Sequence, residues 1–141
     1  MEVWKTGSAG NTLTKVSRLF IIVILCTSFI KGFSQQSIPY DTNAISKSKE
    51  LNFSSTQKRG IQSPDGLIYV VDKNLKVLTA YEHGKIKWQS DIIISCGMPS
   101  VGKPEIRYLK LDGNKIYLTF GKHDYAKVNT ADGKIECLGS D

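Results

Sequence analysis

The sequence predicts an all-β domain built from two antiparallel meanders packed together, and three observations carry that prediction. From Gly60 onward the apolar β-formers fall in short runs, each bounded by a turn dipeptide. Nothing after residue 34 sustains a 3.6-residue apolar period, so helix is not expected there. The same region contains two segments that match each other at an offset of 48 to 49 residues. A small β-sandwich or barrel is the alternative architecture for such a series of strands.

The first 34 residues read as an export signal. Met1 to Arg18 is polar and mildly basic, and Leu19 to Ile30 is an apolar run. As a helix that run spans about 18 Å, against about 30 Å of bilayer hydrocarbon, which suits a signal-peptide core better than a membrane span. Gly32 and Ser34 form a small-x-small site, so cleavage after Ser34 leaves Gln35-Gln36 as the new terminus. This ending resembles the signal peptides of secreted proteins from Bacteroidetes-type bacteria. The resemblance implies a periplasmic or extracellular protein with no stable membrane span after cleavage. An uncleaved segment would instead serve as an N-terminal membrane anchor. Cys26 follows Leu25, where a lipid-acceptor cysteine of the bacterial pattern would follow a small residue.

Charge narrows the partners. Taking the net +3 of residues 1–34 from the +6 of the 141-residue chain leaves +3 on the remaining 107 residues, with signs alternating along the chain. That pattern lacks the basic run or patch of a nucleic-acid binder. Cys96 and Cys137 remain once Cys26 is removed. In an oxidising compartment a bridge between them would close a loop of about 40 residues and contribute roughly 4 kcal/mol. Two buried thiols are the other reading, because spacing does not fix the distance between Cα atoms. Four closely spaced zinc ligands are lacking, and no metal or cofactor is expected.

Residues 35–60 are rich in Ser, Gln, Asn and Lys and read as a flexible polar lead. Residues 61–141 then read as the β domain, with repeats at about 61–95 and 105–141. Its apolar runs are Leu67 to Val71, Val77 to Tyr81, Ile86 to Trp88, Ile92 to Ile94, Ile106 to Leu111, Ile116 to Phe120, Tyr125 to Val128 and Ile135 to Leu138. Asp65-Gly66, His83-Gly84, Asp112-Gly113 and Asp132-Gly133 punctuate them. Glycine accepts positive φ, so such pairs between β-rich runs signal hairpins.

In the repeat, Gly66-Leu-Ile-Tyr-Val-Val aligns with Asn114-Lys-Ile-Tyr-Leu-Thr, which equates Tyr69 with Tyr117. Leu78-Thr-Ala-Tyr aligns with Ala126-Lys-Val-Asn, and Gly84-Lys-Ile-Lys-Trp88 with Gly133-Lys-Ile-Glu-Cys137. Alternation turns Leu78, Ala80, Ala126 and Val128 inward, and places Ile86, Trp88, Ile135 and Cys137 on the same apolar face. Each unit therefore has one apolar face that only its neighbour can bury. Repeats of this length built from strands point to propeller blades or a similar array. The segment Asn129, Asp132, Gly133, Lys134 resembles the blade-ending motif of the quinoprotein-type (PQQ-like) β-propeller repeat, with Cys137 in the Trp place. Gly84, Lys85 and Trp88 fit it in the first unit. The resemblance implies two propeller-blade-like meanders. It does not carry quinone chemistry over, because that cofactor sits on the axis of a complete ring and a closed propeller needs at least about four blades.

Few residues carry chemistry. His83 lies in a hairpin turn, and His123 lies beside Asp124 in a loop, without a third converging group in the sequence pattern. The Asp-Gly aspartates lack the spacing of a calcium loop. Tyr81, Tyr108 and Tyr125 fall on or near faces opposite the apolar stripe, where tyrosine can stack on a sugar or anchor a protein. With His123, they form the expected ligand or partner surface. The linker Ser95 to Pro104 is irregular, as recognition loops often are. The expected function is a secreted, non-catalytic binding module for a protein or glycan. The alternative is a protomer of a homo-oligomeric, propeller-like or envelope-associated assembly.

Overall fold

The computed structural model describes residues 37–141. The expected export signal, residues 1–34, lies outside the described residues, as does Cys26.

Two five-stranded sheets pack against each other, and both are antiparallel-rich. The first holds β3 (Gly60–Gln62), β4 (Ile68–Val71), β5 (Val77–Glu82) and β6 (Lys85–Asp91) as a consecutive meander, with β1 (Ile45–Ser46) parallel beside β3. The second holds β7 (Ile106–Asp112), β8 (Lys115–Phe120), β9 (Asp124–Asn129) and β10 (Ile135–Ser140), with β2 (Glu50–Asn52) antiparallel beside β7. The described strands close no barrel. The expected pair of packed antiparallel meanders is therefore present.

One apolar core lies between the sheets. The first sheet contributes Ile61, Tyr69, Val71, Leu78, Ala80 and Trp88. The second answers with Ile106, Leu109, Ile116, Leu118, Ala126 and Val128. Period-2 alternation produces this: Leu78 and Ala80 are fully buried between neighbours that point to the other face. The sheets also lock at one end. Trp88 Nε1 donates to the Thr130 carbonyl at 2.9 Å, and Ser90 Oγ donates to the Gly133 carbonyl at 2.5 Å. Gly133 has φ +74°, and a Cβ there would lie 2.6 Å from the Trp88 ring. Only glycine meets both conditions.

The lead differs from expectation. Its described part is ordered: Thr42–Ala44 forms a 3-10 turn, and β1 and β2 add one strand to each sheet. Leu51 and Phe53 enter the core. Hydrophobic content is low across the segment, yet a single apolar residue between two polar ones suffices for a strand that needs only one buried side chain.

Two strand readings also change. Ile92–Cys96 is a short α-helix, α1, where a strand was expected over Ile92 to Ile94. Asp91 caps it, its carboxylate accepting from Ile94 N at 2.9 Å, and this local cap overrides the β preference of three isoleucines. Ile86, expected inward, is 55% exposed. A bulge explains it: Ala80 pairs with Trp88, but Tyr81 pairs with Ile86, so Lys87 is an extra residue. The slip turns Ile86 to the outer face beside Tyr81.

The two units are also out of phase at one strand. Tyr69 is 1% exposed, whereas Tyr117 is 42% exposed. Val71 pairs with Leu78, and Leu118 pairs with Ala126. Seven residues separate the first pair and eight the second. The extra residue shifts the equivalent of Tyr69 to Ile116, and a one-residue shift exchanges the faces of a strand.

Cys96 of α1 and Cys137 of β10 form a disulfide with their Cα atoms 5.6 Å apart. It ties the crossover between the units to the last strand. Breaking it with Cys96→Ser and Cys137→Ser together should lower unfolding free energy by roughly 4 kcal/mol in the chain-entropy account, read from urea unfolding against the oxidised chain. In the same assay Leu51→Ala should cost about 2–5 kcal/mol, the range for emptying a buried leucine site. A change below about 0.5 kcal/mol, the range for surface substitutions, would mean that the lead is not part of the core.

Candidate binding face

The outer face of the second sheet is set by strand pairing, which aligns its side chains in rows. One row runs Asn52, Tyr108, Thr119, Tyr125. The next runs Glu50, Lys110, Tyr117, Lys127, Glu136. A third holds Asp112, Lys115 and Asn129. Three tyrosines therefore share one face, with Tyr117 in the row beside the other two.

Each tyrosine has its own electrostatic setting. The Tyr108 hydroxyl donates to Glu50 Oε2 at 2.6 Å, and that bond to a carboxylate raises its pKa above the ordinary 10.0. Tyr125 is likewise raised, chiefly by its hydrogen bond with Asp141. Both rings are half-buried. Tyr117 is the most exposed of the three, and lysines stand directly across from it on both neighbouring strands. Lys127 Nζ meets Glu136 Oε1 at 2.9 Å, which raises the lysine pKa and holds it cationic.

Tyr81 does not join this group. It lies on the outer face of the first sheet, and only 9% of it is exposed. Tyr40 covers it, with ring centroids 4.8 Å apart. Burial is the main reason that the Tyr81 pKa is raised, with Tyr40 adding to it. The expectation of an exposed Tyr81 failed because the lead packs over it. An open groove of about 510 Å³ runs beside this pair, lined also by Gln62, Asp65, Glu82 and Lys87.

The remaining candidates are placed as follows. His123 is exposed in the turn between β8 and β9. The carboxylate of Asp124 accepts from Ser100 N at 3.3 Å and from Ser100 Oγ at 3.2 Å. Lys122 N donates to Val101 O at 2.7 Å, and Gly121 N to Glu105 O at 3.1 Å. The linker between the units is thus clamped onto that turn. His83 is exposed at φ 51° and Gly84 follows at 74°, the pair of positive φ angles of a type I′ hairpin. Asp132 accepts from Lys134 N at 2.9 Å, within its own turn. Among the described residues no three His, Cys, Asp or Glu groups converge as a metal site, and no helix is long and apolar enough to cross a membrane.

Tyr117 is the residue that the repeat alignment concealed. A signal for it existed in β8 itself. Ile116, Leu118 and Phe120 alternate with Lys115, Tyr117 and Thr119, which puts Tyr117 on the polar side whatever its counterpart does.

No family model matches the chain, and no curated protein matches it.

The tyrosine shifts have a consequence for stability. Tyr69, Tyr81, Tyr108 and Tyr125 are all raised above 10.0 in the fold. Above that pH the unfolded chain loses tyrosine protons that the folded chain retains. The stabilisation is therefore complete below pH 10 and declines as pH rises through the folded-state values. Urea midpoints measured from pH 9 upward should stay level to about pH 10 and then fall. In Glu50→Gln, ultraviolet titration should show one tyrosine ionising at lower pH than in the parent.

Proposed function

We propose that the chain is an exported, non-catalytic binding module that presents the outer face of its second sheet to a protein or a glycan. One observation carries the reading: Tyr108, Tyr117 and Tyr125 share an open strand face, while the tyrosine of the other sheet is covered. Tyrosine supplies a large contact area at low entropic cost, and its hydroxyl adds a hydrogen bond. The Tyr108 hydroxyl is held by the Glu50 carboxylate before any ligand arrives, so less ordering of that ring remains to be done on binding.

A second reading has its own support. Ile94 is 84% exposed and Met98 71%, close to the disulfide that joins Cys96 to β10. Both β6 and β10 are open sheet edges. These features favour an assembly of several copies, as the propeller-like resemblance implies. Against it, β6 and β10 each carry a bulge, a device that discourages edge pairing.

Two measurements separate the readings. The triple variant Tyr108→Ala, Tyr117→Ala, Tyr125→Ala should weaken capture of proteins or glycans by tenfold or more, since an anchoring tyrosine commonly contributes about 2 kcal/mol. Full retention of every captured ligand by a folded triple variant would overturn the binding face. Light scattering that shows a monomer across the micromolar range would overturn the assembly.

A further inference from the structure

Beyond the tyrosines, the open face carries its positive charge at one end. Lys115, Lys127 and Lys134 line a cavity of about 470 Å³ with Asn129, Ile135 and Glu136. Among the described residues the ion pairs are Lys87–Glu82 and Lys127–Glu136, so Lys115 and Lys134 carry no carboxylate partner there. Asp112 stands across from Lys115 on the neighbouring strand without forming a salt bridge to it. Glu136, the one acid of the cavity, is occupied by Lys127. Asn129 Oδ1 already accepts from Ala131 N at 2.9 Å, which leaves its NH₂ as the end that can donate.

We infer that this end of the face takes the carboxylates of an acidic polysaccharide of the polyuronate class, with Tyr117 as the ring on which a sugar stacks. The inference rests on the binding-module reading and names its ligand. Three features select that chemistry. Lys110 and Lys127 flank Tyr117 across both neighbouring strands, about 10 Å apart at two strand spacings, so an exposed ring lies between two amines, the second shared with Glu136, as a sugar face lies between carboxylates along a uronate chain. Glu50, Asp112 and Glu136 share the face, and their carboxylates can accept hydrogen bonds from the hydroxyls that a uronate chain carries on every ring. The cavity is open and lined by long, flexible amines and an amide, which suits carboxylate oxygens presented at variable height.

The test is titration of the full chain with polygalacturonate and with its fully methyl-esterified, uncharged counterpart, followed by calorimetry or affinity electrophoresis, with dextran sulfate as a charge-only control. Polygalacturonate should bind and the ester should not. Tyr117→Ala, and separately Lys115→Gln with Lys134→Gln, should each weaken binding about tenfold. Lys134 is exposed, so Lys134→Glu tests the charge without disturbing the core. Absent binding of polygalacturonate would overturn the inference. So would equal binding of the ester, or of all variants, or dextran sulfate binding that matches polygalacturonate and ignores Tyr117→Ala. If the triple tyrosine variant still loses its captured ligands in that case, the binding face survives and only the ligand class falls.

Discussion

Everything in this fold depends on the burial of two one-sided sheets against each other. A meander with one apolar face must bury that face against another element of structure. Here Leu78 and Ala80 on one sheet and Leu118 and Ala126 on the other are sealed in a shared core. Trp88 joins the two halves directly. Its ring fills the space that a side chain at residue 133 would need, and its indole N–H satisfies a carbonyl of the opposing hairpin. The disulfide from α1 to β10 fastens the same side of the molecule.

With the inner faces spent on each other, the outer faces are what the molecule can offer. They are not equivalent. The N-terminal segment brings Tyr40 down on Tyr81 and removes that ring from solvent. The same segment adds β2 to the second sheet, where Glu50 steadies the Tyr108 hydroxyl. One stretch of chain thus covers one face and equips the other. This asymmetry, more than any single side chain, is what supports a binding role for the second sheet.

Much of the architecture was legible because strand formation and hairpin turns are local. Asp-Gly and His-Gly pairs place most of the reversals, and alternation in Val77–Glu82 and Asp124–Asn129 assigns their faces without outside help. Errors arose where one residue of register mattered. Lys87 is an extra residue in its hairpin, and it turns Ile86 outward. The paired residues Leu118 and Ala126 lie one position further apart along the chain than Val71 and Leu78, and that separates Tyr117 from Tyr69. Side-chain direction in a strand has a period of two, so a single insertion is enough to invert it.

The sequence by itself determined that residues beyond 60 form short strands joined by tight turns, and that each half exposes one apolar side in need of a partner. Those are properties of neighbouring residues and of the spacing between apolar ones. Only the tertiary structure decided that the polar lead belongs to the sheets, that Ile92–Cys96 is helical, that Cys96 meets Cys137, and that Tyr108, Tyr117 and Tyr125 share a face while Tyr81 is covered. Each of these is a contact between segments distant along the chain. Its free energy comes from surface that becomes buried only after the sheets have met, and local propensity carries no record of it.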